Sequence, residues 1–146
     1  YGPHDNFHLE DAHVVPALIH KCYLAKQNGA PFQMRGTGKP LRQFIYSEDL
    51  AKLIMWTLEK NKHPTIILSV PEKDEVSIEQ VTRLIAREYD YEDHLEFDTS
   101  FADGQFKKTA DNSLLMSETS FEFTPIEEGI KKSVQWFKDN YEIARK

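Results

Sequence analysis

A continuous apolar run at positions 65–70, Thr-Ile-Ile-Leu-Ser-Val, constrains the fold of this chain more than any other segment. A strand that is apolar on both faces is typical of a parallel sheet covered by helices on both sides. Such a strand needs neighbouring strands, and the other candidate strands of the chain are short and scattered. We therefore expect this run to complete a sheet that is supplied mainly by sequence preceding Tyr1.

Helices alternate with strands along the rest of the chain. Apolar side chains recur at i, i+4 spacing over about residues 12–27, and Asn28-Gly29 is a usual helix end. The alternation indicates the α/β class. The other predicted elements are short strands at 32–35, 43–46 and 95–98, a tight turn at 36–40, helices capped by Ser47 and Ser77, and a last helix with Pro125 at its first position.

Composition narrows the function classes. The 146 residues suggest one domain or most of one. The formal net charge of −6 and the lack of a basic stripe disfavour a nucleic-acid partner. The single cysteine, Cys22, excludes an internal disulfide and fits a reducing compartment. No signal peptide and no membrane-spanning apolar run is recognisable, so we expect no membrane partner.

Three histidines lie close together near the start of the chain. His4, His8 and His13 alternate with carboxylates, which are suitable zinc ligands, but their spacing and the lack of a Cys pair make solvated loop residues the better interpretation. His13 differs because it stands at the start of a predicted helix. A neutral imidazole there could exchange a proton near neutral pH, and a capping role is the alternative.

Basic residues surround a glycine turn. Arg35, Lys39 and Arg42 flank the Gly-Thr-Gly segment at 36–38, where guanidinium groups and open backbone could bind a diphosphate, or simply form a charged hairpin tip. Asp103 begins an Asp-Gly-Gln loop that could bind a ligand hydroxyl or form an ordinary turn. The chain contains no G-x-G-x-x-G, no Tyr-x-x-x-Lys and no G-x-S-x-G. It therefore has no recognisable dinucleotide site of its own.

Several blocks together resemble one family. The segments YGPHDNF (1–7) and HVVPAL (13–18) resemble the region after the catalytic Tyr and Lys of the GDP-L-fucose synthases, which belong to the extended short-chain dehydrogenase/reductase group. The likeness continues, in order, to the end of the chain and is closest to the animal form. Its other blocks are GTGKPLRQFIYSEDL (36–50), FDT (97–99) with DGQFKK (103–108), and WFKDNYE (136–142).

The resemblance implies a fold and an activity. The chain would be the carboxy-terminal, substrate-binding part of an extended Rossmann reductase, with residues of about 47–70 belonging partly to the Rossmann sheet and the NADP-binding part absent. The whole protein would be a cytoplasmic homodimer that epimerises GDP-4-keto-6-deoxy-D-mannose at C3 and C5 and reduces C4 with NADPH. The chain alone would be inactive, because the Tyr–Lys pair, the catalytic Cys and the cofactor loop are not in it.

The resemblance also assigns site residues. His13 matches the catalytic histidine, which also contacts the cofactor; Lys21 and Arg42 match diphosphate ligands, and Asp103 matches a nucleotide-sugar contact. Arg35 departs from the family, which usually has Trp before the Gly-x-Gly turn, although a planar guanidinium can also stack on a ring. No metal is implied. The alternatives are another nucleotide-sugar epimerase or dehydratase and a non-catalytic nucleotide-sugar-binding module.

Overall fold

The computed structural model describes residues 1–146. Helices and short strands alternate through the chain, which confirms the α/β class. The helices are α1 (Val14–Asn28), α2 (Ser47–Lys60), α3 (Ile78–Glu88), α4 (Ser113–Glu118) and α5 (Ile126–Asp139). The strands are β1 (Phe32–Arg35), β2 (Leu41–Arg42), β3 (Val76–Ser77) and β4 (Leu95–Asp98).

Two pairs of strands hold the loops of the domain in place. β1 and β4 run parallel, with Phe32 opposite Leu95 and Arg35 opposite Asp98. β2 and β3 run antiparallel, with Leu41 opposite Ser77. The glycine turn at 36–40 therefore connects β1, in one sheet, with β2, in the other.

The core lies between α1, α3 and α5. Each helix contributes buried apolar side chains at about the predicted helical spacing, but Val14 of the predicted α1 stripe is 43% exposed and Ile126 of α5 is only partly buried. Phe7, in the loop before α1, is completely buried, and its ring lies 4.4 Å from the Phe137 ring of α5. The opposite side of α1 stays partly open, so that side can line a groove.

The helix boundaries follow local rules at most positions. Ser77 caps α3 and forms a capping box with Gln80, as its sequence predicts. Gly29 ends α1 in the left-handed conformation, with φ of 61°. The predicted capping by Ser47 is wrong, because Ser47 is already the first residue of α2 and its amide donates to the Tyr1 carbonyl oxygen at 2.8 Å. Pro125 likewise stands just before α5 and not at its first position.

Two predicted strands do not form. Residues 65–70 have no regular secondary structure and pair with no strand, because the chain supplies none beside them, and Ile67 is 46% exposed. Residues 43–46 also stay unpaired. There the Gln43 side-chain amide donates to the carbonyl oxygens of Val70 and Ala110 at 2.6 and 3.1 Å, which fixes this segment without a strand ladder.

The outer face of α2 is apolar and uncovered. Leu53 is fully buried, whereas Ile54, Met55 and Leu58 are exposed, Leu58 by 76%. Only part of the predicted apolar stripe of α2 is therefore buried within this chain. None of the helices is both long and apolar enough to cross a membrane.

Candidate functional site

Three cavities adjoin along the open side of α1 and form what we call the α1 groove. The first, of about 350 Å³, is lined by His13, Val14 and Arg42, among others. The second, of about 260 Å³, shares Val14 with the first and is also lined by Lys21 and Arg35. The third, of about 500 Å³, shares Lys21 and Arg35 with the second. Four of the five predicted site residues therefore line one groove.

His13 lies at one end of the groove. It immediately precedes α1 with extended backbone (φ −66°, ψ 167°), and its side chain makes no capping hydrogen bond. The imidazole is exposed and not partly buried as the sequence suggested. The capping alternative thus has no hydrogen bond to support it, and the ring stays available to a molecule in the first cavity.

Arg42 also lines the first cavity. Its Nη1 donates to the Leu41 carbonyl oxygen at 2.6 Å and, at 3.5 Å, to that of Phe106. Its Nη2 donates to the carbonyl oxygen of Gln105 at 2.8 Å. The contacts with Phe106 and Gln105 tie β2 to the loop before residue 107, and the three contacts together leave at least two of the five guanidinium N–H groups for an anion.

Asp103 is held by the glycine turn and lines none of the three cavities. Its carboxylate accepts hydrogen bonds from the Thr37 amide at 2.8 Å and from the Thr37 hydroxyl at 2.5 Å. The Thr37 hydroxyl and then its amide hold the pKa of Asp103 below its usual range. Gly36 makes this approach feasible, because it has φ of 87° and a Cβ there would lie 2.5 Å from Asp103 Oδ1.

The other end of the groove carries a stacked pair. The Arg35 guanidinium carbon lies 4.6 Å from the centre of the Phe101 ring, within the range of a cation–π contact. Burial, and then the charge of Arg35, lowers the pKa of the Lys21 ammonium group. Sequence reasoning gave Phe101 no role. Its only signal was its position near the Asp-Gly-Gln loop.

Asp98 adds a carboxylate to the same third cavity. Its Oδ1 accepts hydrogen bonds from the Ser100 amide at 3.1 Å and the Ser100 hydroxyl at 2.6 Å. These bonds, side chain first, lower the pKa of Asp98, so the group is ionised at neutral pH. Sequence reasoning placed Asp98 only inside a matching block and gave it no role.

The other histidines of the first segment have structural contacts. The His4 ring lies 4.5 Å from the Trp136 ring, and His8 Nδ1 lies 3.4 Å from an Asp11 carboxylate oxygen. No group of three or more His, Cys, Asp or Glu side chains is placed to hold a metal ion.

Comparison with known proteins identifies the relatives of the chain. Residues 1–68 match the NAD dependent epimerase/dehydratase family. The whole chain is 57% identical to the GDP-L-fucose synthase of Dictyostelium discoideum and 41% identical to the probable GDP-L-fucose synthase of Drosophila melanogaster. The chain is similar over its whole length to these GDP-L-fucose synthases. The higher identity to the Dictyostelium protein shows that the likeness is not specific to the animal form.

A solved structure agrees with this relationship. The GDP-L-fucose synthetase of Naegleria fowleri, solved with NADP bound, superposes with a TM-score of 0.94 at 50% identity and over 100% of this chain. The chain spans about half the length of the relatives it matches: 46% of the Dictyostelium protein, 48% of the Drosophila protein and 44% of the Naegleria chain.

Proposed function

We propose that this chain is the substrate-binding half of a GDP-L-fucose synthase. The whole protein would epimerise GDP-4-keto-6-deoxy-D-mannose at C3 and C5 and reduce C4 with NADPH. The names of the relatives that match along the whole of this chain support this assignment. The order of residues along the α1 groove supports it as well. From the same resemblance we expect the whole protein to be a cytoplasmic homodimer.

His13 would act as a general acid or base at the sugar. A ketone at C4 acidifies the protons at C3 and C5, so each inversion needs one group that removes a proton and another that returns one on the opposite face. An exposed imidazole with no capping bond, facing a cavity, meets the requirement for one of these groups. The family resemblance assigns the other role to a cysteine outside this chain.

Arg42 and Lys21 would bind the diphosphate. Arg42 shares the first cavity with His13, and Lys21 lines the second and third cavities, so a diphosphate held by both would lie between the sugar and the nucleoside. Guanidinium and ammonium groups are the usual phosphate ligands. Asp103 would contact the nucleotide-sugar from the adjoining glycine turn, where Thr37 fixes its carboxylate.

This chain contains no glycine turn that opens a helix. A dinucleotide pyrophosphate binds where a glycine turn opens the N-terminus of a helix. The only Gly-x-Gly turn here, at 36–38, leads into β2. We infer that NADP(H), which supplies hydride, is bound mainly outside this chain, with His13 as a contact at its edge, and that the chain alone is inactive.

Residues of about 47–70 would pack on the Rossmann part of the whole protein. The supporting observations are the uncovered apolar face of α2, including Leu58, and the unpaired apolar run at 65–70. Both leave apolar surface in contact with water, which is unfavourable, and a complete protein normally covers such surface.

The observation that carries the proposal is the shared cavity of His13 and Arg42, and calorimetric titration tests it. We expect the chain to bind GDP and GDP-fucose, and Arg42→Ala to weaken GDP by roughly tenfold to a hundredfold, the contribution of hydrogen bonds to a charged group. Guanosine, which has no phosphate, should bind both proteins alike. Lys39→Ala is the matched control, because Lys39 is an exposed cation of the same turn that lines none of the three cavities.

Two results would contradict the assignment. Equal losses for GDP and guanosine would mean that Arg42 acts only by holding its loop. NADPH-dependent formation of GDP-fucose by the chain alone would refute the predicted inactivity.

A further inference from the structure

The α1 groove has a direction. His13 and Arg42 lie at one end, whereas the Arg35–Phe101 stack and Asp98 lie at the other. A nucleotide-sugar is linear in the order sugar, diphosphate, ribose and base. If the sugar lies at His13, as proposed above, the base lies in the third cavity, beyond Lys21.

The third cavity suits a planar aromatic base. Its volume of about 500 Å³ lies in the range of small-molecule sites. The Arg35 guanidinium and the Phe101 ring are both planar and stack at 4.6 Å, and each is a group on which a base can stack. This pair supplies a stacking surface at a place where the resemblance leads one to expect a Trp.

Asp98 is the one carboxylate among the residues that line the second and third cavities. The other carboxylate of the groove, Asp5, lines the first cavity, at the His13 end. Ser100 occupies Oδ1 of Asp98 and leaves Oδ2 without a partner from the chain. An ionised carboxylate only accepts hydrogen bonds, so a ligand that contacts it must donate.

Guanine has the matching donors. Its Watson–Crick edge presents an N1–H and a 2-amino group side by side, whereas adenine has an unprotonated N1 and no 2-amino group. We propose that Asp98 is a specificity-determining residue that selects guanine by accepting hydrogen bonds from N1–H and the 2-amino group, while the base stacks on the open face of the Arg35–Phe101 pair. This inference rests on the proposed function, because that function places the base at this end of the groove.

The test compares bases that lack one or both of these donors. The chain is titrated calorimetrically with GDP, inosine diphosphate and ADP. Inosine diphosphate lacks the 2-amino group of GDP, and ADP lacks both the 2-amino group and the N1–H donor. We expect GDP to bind roughly tenfold more tightly than inosine diphosphate, as one hydrogen bond to a charged group predicts, and ADP to bind more weakly still. In Asp98→Asn the ratio of GDP to inosine diphosphate affinities should fall to about one.

Asp111→Asn is the matched control. Asp111 occurs in the same Asp-x-Ser pattern, accepts a hydrogen bond from the Ser113 amide at 2.8 Å, and has a lowered pKa for the same reason, but it lines none of the three cavities. The affinity ratio of two ligands does not depend on the fraction of folded protein, so partial misfolding of a variant cannot mimic the effect.

The outcomes separate the two proposals. A ratio in Asp98→Asn equal to that of the wild type, or an equal fall in Asp111→Asn, would overturn the role of Asp98 and leave the proposed function standing. A wild-type chain that binds GDP and inosine diphosphate equally would do the same. No binding of GDP or GDP-fucose to the folded wild-type chain would overturn both.

Discussion

Replacement of Asp49 tests what holds the start of α2 in place. Asp49 is only 2% exposed, lies in the first turn of α2, and accepts a hydrogen bond from the Thr124 amide at 2.7 Å. That bond connects the start of α2 with the segment leading into α5. Its ion pair with Lys52, at 3.7 Å and with an exposed lysine, should contribute little.

The expected magnitude follows from two contributions. A hydrogen bond to a charged acceptor contributes about 1.5–3 kcal/mol, and a carboxylate near a helix N-terminus about 0.3–1 kcal/mol. Asp49→Ala removes both and should lower the free energy of unfolding by about 2–4 kcal/mol, which lowers Tm by roughly 5–15 °C for a domain of this size. Asp49→Asn keeps an acceptor for Thr124 and should cost only about 1 kcal/mol.

Urea unfolding of the wild type and both variants, followed by circular dichroism, measures these differences. Glu48→Ala is the control, because Glu48 lies in the same helical turn but is exposed. Glu48→Ala should lower the free energy of unfolding by less than about 1 kcal/mol. Equal costs for Asp49→Ala and Asp49→Asn would refute the reasoning, since they would show that the contact with Thr124 stabilises nothing.

Three further predictions concern other parts of the chain. Gly36→Ala should weaken GDP binding several-fold, because the new Cβ would lie 2.5 Å from Asp103 Oδ1; unchanged calorimetric affinity would contradict this. Burial lowers the pKa of His20, whose Nδ1 lies 2.8 Å from the Phe7 carbonyl oxygen. The native state thus disfavours the protonated imidazole, so unfolding free energy should fall as pH drops below about 6.5, and His20→Asn should reduce that fall in urea titrations at pH 7.5 and 5.5. Burial raises the pKa of Cys22 to about 12, so a thiol reagent should react in urea but not with the native chain; fast native labelling would refute this.

Local patterns predicted the elements whose causes are local. The capping box of Ser77 and Gln80 and the strand at 32–35 depend on residues a few positions apart, and both were predicted correctly. The run at 65–70 has the composition of a buried strand, but a strand also requires partners, which no local pattern contains. Its prediction failed in this chain because pairing is a property of the whole sheet.

For the site, too, the sequence predicted the features with local signals and not those that depend on distant residues. Residue type and resemblance pointed to His13 and Arg42, and the structure places both in one cavity, although their proposed roles stay predictions. The contact of Thr37 with Asp103 spans 66 positions, and that of Arg42 with Gln105 spans 63. No periodicity or spacing rule connects residues so far apart, so the sequence showed neither that Thr37 fixes a carboxylate nor that Arg42 orders a loop.

The parallel register of β1 and β4 limits how this site can change during evolution. Arg35 lies opposite Asp98 at the ends of the two strands. Successive side chains of a strand point to opposite faces, so inserting or deleting one residue within Leu95–Asp98 would turn the carboxylate away from the cavity. Substitution at position 98 alters the chemistry of the cavity and keeps its shape, whereas a change of strand length would remove the acceptor altogether. If Asp98 selects the base as proposed, a point mutation at position 98 would change base preference, whereas a change in the length of this short strand would remove the site.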